Sequence, residues 1–175
     1  MNYNAIFSFH MPTKVVHGFN AIAQVGKEAK RLGIKRAFIV TDAAVRGAGL
    51  MDNGINSLES EGIPVFVFDE VEMDPGTKTV GRGVDLLKSE SCNGVIVVGG
   101  GSPMCAGKGI ALVGSNGGSI ADYEGNEKYK VPPLPVIGIP TTAGAGSEVS
   151  ATFIITDEKR NYKMGISGPK IYPDV

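Results

Sequence analysis

The sequence predicts an α/β fold, a mainly parallel sheet with helices on both faces. Two patterns carry that expectation. Short apolar runs at 36–41, 65–68, 94–99 and 135–140 alternate with longer stretches whose apolar residues recur at helical spacing. Strands separated by helices close into a parallel sheet through right-handed crossovers. Composition is the second: 25 glycines in 175 residues are too many for a helical bundle, while 42% hydrophobic content is enough for one substantial core.

In chain order, Phe7–Phe9 and Lys14–His17 flank Met11-Pro12-Thr13 and read as an N-terminal β-hairpin. Asn20 then caps a helix with Ile22, Val25, Ala29 and Leu32 on its buried side, and Gly33 stops it. The Arg36–Thr41 strand follows. Gly47, Gly49 and Gly54 break any single helix between Ala43 and Glu61, and Val65–Phe68 is the next strand. Asp74-Pro75 supplies a capping side chain and a first-turn proline for a helix whose core face is Val80, Val84 and Leu87. The Gly94–Gly99 strand leads to a helix over Pro103–Val113, then a glycine-rich loop over Gly114–Gly125 carrying a Ser119–Tyr123 turn. After the Pro135–Pro140 strand, the segments Ala151–Thr156, Tyr162–Ile166 and Lys170–Tyr172 read as added β structure.

A net charge of −1 gives no electrostatic footprint for nucleic acid or an anionic membrane. No apolar run approaches the roughly 20 residues that span a bilayer, and the N-terminus lacks a basic-then-apolar signal pattern, so a cytoplasmic location is expected. Cys92 and Cys105 follow no zinc spacing and are expected to be free thiols.

The most informative stretch is Val95-Ile-Val-Val-Gly-Gly-Gly-Ser-Pro103, an apolar strand running through three glycines into a helix. Without side chains at Gly99, Gly100 and Gly101, a diphosphate approaches the backbone closely, and the helix's first N–H groups point at it. Lys108, about one turn in, adds positive charge. The standard dinucleotide fingerprint does not fit, because Met104 stands where the third glycine belongs and Asp42 precedes the glycine turn instead of following it by about 20 residues. A P-loop fails as well: Lys108 is followed by Gly109, not Ser or Thr. A second turn, Ile139-Pro-Thr-Thr-Ala-Gly-Ala-Gly-Ser-Glu148, ends another apolar strand with paired hydroxyls, and two such turns at one sheet edge define a crevice.

Together, Ile39-Val-Thr-Asp42, Gly99-Gly-Gly-Ser-Pro103 with Lys108, Pro140-Thr-Thr-Ala-Gly-Ala-Gly-Ser-Glu-Val149, and Ile155-Thr-Asp157 followed by Lys163-Met-Gly165 closely resemble the iron-containing (group III) alcohol dehydrogenases. The resemblance covers essentially the whole chain. It implies a Rossmann-like dinucleotide-binding domain over residues 1–175, one half of a two-domain enzyme. The all-helical half of the family, which supplies an aspartate and histidines to Fe²⁺ or Zn²⁺, is expected to be absent from this chain. His10, His17 and Asp174 match no metal ligand.

By the same resemblance, Gly99, Gly100, Gly101 and Ser102 contact the diphosphate, and Thr141 and Thr142 line the adenosine side, with Ser147 in the same turn. Asp42 faces the adenosine ribose, where its charge favours NAD over NADP. Lys163 lies near the nicotinamide ribose, Lys108 close to the phosphates or nicotinamide, and Asp74 beside the substrate pocket. The implied reaction moves hydride between NAD and a short primary alcohol or diol, or its aldehyde. Each residue also has a plainer reading: Asp42 and Asp74 as helix caps, Lys163 as a solvated strand residue. One departure stands out, since Cys105 occupies the position of a family aspartate, and a thiol is a weak acceptor. A nucleotide-binding module without catalysis of its own is the alternative function. Relatives that dimerise through an N-terminal hairpin make Phe7–Val16 a candidate interface, so a homo-oligomer is expected.

Overall fold

The computed structural model describes Ile6 and residues 10–175. The elements in order are α1 (Val25–Arg31), β1 (Ala37–Val40), α2 (Ala43–Gly47), α3 (Asp52–Ser60), β2 (Val65–Phe68), α4 (Thr77–Ser89), β3 (Gly94–Gly99), α5 (Gly101–Asn116), β4 (Gly125–Asn126), β5 (Val136–Pro140), β6 (Thr152–Asp157) and β7 (Tyr162–Ser167). Short 3₁₀ turns cover Ala21–Gln24, Ile120–Tyr123 and Ser147–Val149.

Four strands form one parallel sheet in the order β2-β1-β3-β5. β1 and β3 are central and buried at every position, as apolar strands covered on both faces must be. Side chains alternate between the faces. Phe38, Val40, Val95 and Val97 meet α4 and α5, while Ala37, Ile39, Ile96 and Val98 meet α1 and α3. A second sheet, β4-β7-β6, packs Phe153, Ile155, Met164 and Ile166 into the α4–α5 side. α5 therefore lies between two sheets. Its residues from Ala106 to Val113 are all buried, and small residues make the fit. A Cβ on Gly107 would collide with Val97, and one on Gly109 would come within 3.3 Å of Val80.

The core elements match the sequence reading to within a few residues, and the start of α4 differs for a long-range reason. Asn20 does not cap with its side chain; it sits in the left-handed region at φ 58° and leads into the 3₁₀ turn before α1. Gly33 ends that region as expected, at φ 75°, with the Ile34 N–H returning to the Ala29 carbonyl. Two helices, α2 and α3, fill the mixed 43–61 segment. Asp74 does not cap α4. The helix starts later, and the Glu158 carboxylate accepts from the first-turn N–H groups of Thr77 and Lys78, at 3.2 and 3.4 Å. The Ser119 turn forms as read, closed by a reciprocal Ser119–Asp122 capping box.

Lys170–Tyr172 forms no strand. The first hairpin arm, Phe7–Phe9, lies outside the described residues, and Lys14–His17 forms no strand; the Lys14 N–H donates to the Asp174 carbonyl at 3.0 Å. That segment is also held by charge. Glu28, 8% exposed on α1, bonds the Lys14 ammonium and the Arg31 guanidinium. Lys14, ahead of Arg31, holds the Glu28 carboxyl below its ordinary range, against the opposing effect of burial.

Gly107→Ala is expected to lower stability by about 1–3 kcal/mol through overpacking against Val97, read as a fall in the thermal midpoint. The depressed Glu28 carboxyl stabilises the fold above its unfolded value of 4.5, and this contribution is lost as pH falls through the folded value. The gap in thermal midpoint between the wild type and Glu28→Gln should therefore be present at neutral pH and close under acid.

Candidate functional site

The sheet order places a switch point between β1 and β3. From β1 the chain moves outward to β2, then returns to lay β3 on the other side of β1. Ligands of open α/β sheets bind in the crevice beyond the strand carboxyl ends at such a point. Here the two ends are tied together by Thr41, which is fully buried and donates its hydroxyl to the Val98 carbonyl at 2.7 Å.

Asp42 follows directly. Its Oδ1 accepts from the Val45 N–H at 2.9 Å and caps α2, and among the described residues no partner engages the second carboxylate oxygen. On the other wall, β3 ends at Gly99 and α5 begins at Gly101, with Gly100 as the N-cap. Gly99 has φ 158°, and a Cβ there would sit 2.5 Å from Pro103 Cγ. On Gly100 a Cβ would press within 3.1 Å of the Thr142 hydroxyl. Among the described residues no side chain caps α5, and its first turn carries no acid. Its Gly101 and Ser102 amides and the positive end of its dipole are thus available to an anion.

The second turn lies against the first. The Thr141 N–H donates to the Gly99 carbonyl at 3.0 Å, and Thr142 faces Gly100. A third group closes the constellation: the Asp74 N–H donates to Ser102 Oγ at 3.3 Å, and Lys163 Nζ lies 2.9 Å from Asp74 Oδ1. Asp74 has φ 54°, a left-handed conformation that aspartate tolerates better than most residues. Its carbonyl also accepts from the Thr156 hydroxyl at 3.2 Å. Both partners of the Asp74–Lys163 pair are about 60% exposed, so the pair adds little to stability and leaves Lys163 accessible.

The structure thus brings together Gly99, Gly100, Gly101, Ser102, Thr141, Thr142, Asp74 and Lys163, with Asp42 on the adjoining strand end. Two residues stand apart. Ser147 is buried at the head of its 3₁₀ turn, its carbonyl accepting from Ser150 Oγ at 3.4 Å. Lys108 is 2% exposed and about two turns, not one, into α5, with its ammonium on the Ser150 and Thr152 carbonyls. Cys105 is half-buried, and burial pushes the Cys92 thiol up.

Sequence reasoning missed Thr41, whose signal is a hydroxyl ending an apolar run. It also missed Thr13 and Glu148, whose Thr13 Oγ1 and Glu148 Oε2 are buried without a partner among the described residues and line one cavity of about 340 Å³. No local pattern marks those two.

The glycine turn, open helix terminus and flanking hydroxyls fit a dinucleotide diphosphate. A metal ion does not fit the described residues, among which no three His, Cys, Asp or Glu side chains converge. His10 and His17 are exposed, and Asp174 accepts from the Val136 N–H at 2.9 Å.

The family described as iron-containing alcohol dehydrogenase matches residues 12–175. A choline dehydrogenase of Bacillus subtilis is 43% identical over 169 residues, 94% of this chain and 42% of that protein. The NAD-dependent methanol dehydrogenase of Bacillus methanolicus is 39% identical over 96% of this chain and 44% of its own length. A crystal structure of 1,3-propanediol oxidoreductase superposes with a TM-score of 0.93 at 34% identity, covering 98% of this chain and 45% of that one. The chain spans less than half the length of these relatives, and over that span it belongs to the iron-containing alcohol dehydrogenase family.

Proposed function

We propose that residues 1–175 form the cofactor domain of an NAD-dependent alcohol dehydrogenase. The observation that carries this reading is the convergence of the glycine turn, the Thr141–Thr142 turn and the Asp74–Lys163 pair beyond the β1/β3 switch point. Gly99, Gly100, Gly101 and Ser102 receive the diphosphate on the α5 amides. Thr141 and Thr142 line the adenosine side, and Ser147 holds the turn that carries them.

Asp42 accepts from the adenosine ribose, and its charge repels a 2′-phosphate. Lys163 donates to the nicotinamide ribose, and Asp74 orients that ammonium at the edge of the substrate pocket. When bound, the nicotinamide accepts hydride from the carbinol carbon of the alcohol. The relatives' names, which include methanol and 1,3-propanediol, support a short primary alcohol or diol as substrate. The family's Fe²⁺ or Zn²⁺ belongs to residues other than those described. A cytoplasmic homo-oligomer completes the reading; among the described residues no helix is long and apolar enough to cross a membrane. Cys105 favours a second reading, a nucleotide-binding module without turnover, because its thiol stands where the family pattern has a carboxylate.

Parallel titrations with NADH and NADPH, followed by nicotinamide fluorescence, test the proposal. NADH should bind at least about tenfold more tightly than NADPH, and Asp42→Ala should narrow that gap by weakening NADH and admitting NADPH. Gly101→Val should abolish binding of both while leaving the fold intact. Equal affinities in the wild type would overturn the role of Asp42, and no binding of either would overturn the cofactor reading.

A further inference from the structure

The buried lysine of α5 has no place in the crevice, yet it is among the largest fully buried side chains of the fold. Its Nζ lies 2.8 Å from the Ser150 carbonyl, 3.2 Å from Ser150 Oγ and 3.2 Å from the Thr152 carbonyl. These three acceptors match the three N–H donors of an ammonium. They sit where the second turn, Thr141–Val149, runs into β6. The other end of that turn is held by the Thr141 N–H on the Gly99 carbonyl, at 3.0 Å. Both ends of the turn are therefore fastened to one strand–helix unit, β3–α5, the unit that forms the glycine turn.

We infer that Lys108 is a positioning residue: from the middle of α5 it clamps the Ser150–Thr152 end of the second turn and so holds the hydroxyls of that turn against the glycines at the start of the same helix. The affinity readout below rests on the nucleotide reading; the clamp itself does not.

The clamp is sensitive to charge. Burial pushes the Lys108 ammonium down to about 8, with the neighbouring Cys105 and Glu148 acting in the opposite direction. The cavity that Lys108 borders also carries Lys14, Arg31, Lys170, Tyr172 and Asp174 on its wall. A neutral amine has two N–H groups for the three acceptors, so the clamp weakens as pH rises through that value.

Hydrogen exchange on the 175-residue chain tests the clamp directly. At neutral pH, Lys108→Met should raise amide exchange across Thr141–Val149 about tenfold while leaving α3, on the opposite face, unchanged. Lys108→Gln keeps a polar head group with two N–H donors on a shorter side chain, so it should give a smaller rise in the same segment, and it decides the matter if the methionine variant does not fold. NADH affinity of the wild type should fall as pH rises through about 8, and in Lys108→Met, about tenfold weaker at neutral pH, that transition should vanish. Unchanged exchange in Thr141–Val149 in the folded variants, or a pH transition that survives in Lys108→Met, overturns the inference. A wild type that binds no NADH defeats the nucleotide reading, and loop exchange still decides the role of Lys108.

Discussion

The packing of α5 between two sheets is the constraint on which the rest of the molecule depends. A helix covered on every side has no polar face, so from Ala106 to Val113 its sequence is small and apolar except for the buried Lys108, and its distance from the central strand is set by the bare backbone of Gly107 against Val97. Fixing that helix fixes its first turn. The amides of Gly101 and Ser102 stand beyond β3 because the body of the helix has no freedom to tilt, and the glycine turn inherits its geometry from the core beneath it. The central strands contribute the other fixed edge through Thr41, whose hydroxyl bridges β1 to β3 at the point where their directions around the sheet diverge.

Much of this architecture is legible in the sequence because it follows from local pattern. The four apolar runs became the four parallel strands, and the three-glycine turn stood at a strand–helix junction as read. The misplaced cap of α4 has a physical cause, a partner distant in sequence. Asp74 has every local property of a helix cap, but Glu158 competes for the first-turn amides of α4 and wins, leaving Asp74 to a left-handed turn and to Lys163. For Lys108 the family resemblance implies a place close to the phosphates or nicotinamide, and its hydrogen bonds in the fold are a separate matter. Nothing nearby in the chain announces that two carbonyls and a hydroxyl beyond residue 149 surround it.

The candidate site shows the same division. The glycines and hydroxyls were legible as motifs, because their chemistry lies in the residue types themselves. The pairing of Ser102 with Asp74 and of Asp74 with Lys163 was not, since it joins segments that only the tertiary fold brings together. Thr41 lay in plain view within a motif and was passed over, because a threonine ending a strand is ordinary until the neighbouring strand's carbonyl is known.

The capping of α4 by Glu158 has a consequence for how this domain tolerates exchange of its parts. Glu158 sits in the turn between β6 and β7, where Asp157 accepts from Lys159 and Arg160 to shape the hairpin tip. The start of a helix and the bend of a hairpin some eighty residues later are therefore a single module. A chimaera that takes the hairpin from one relative and the helix from another would divide that module at a seam no covalent bond marks, while a graft that carries both segments together keeps the helix its anion.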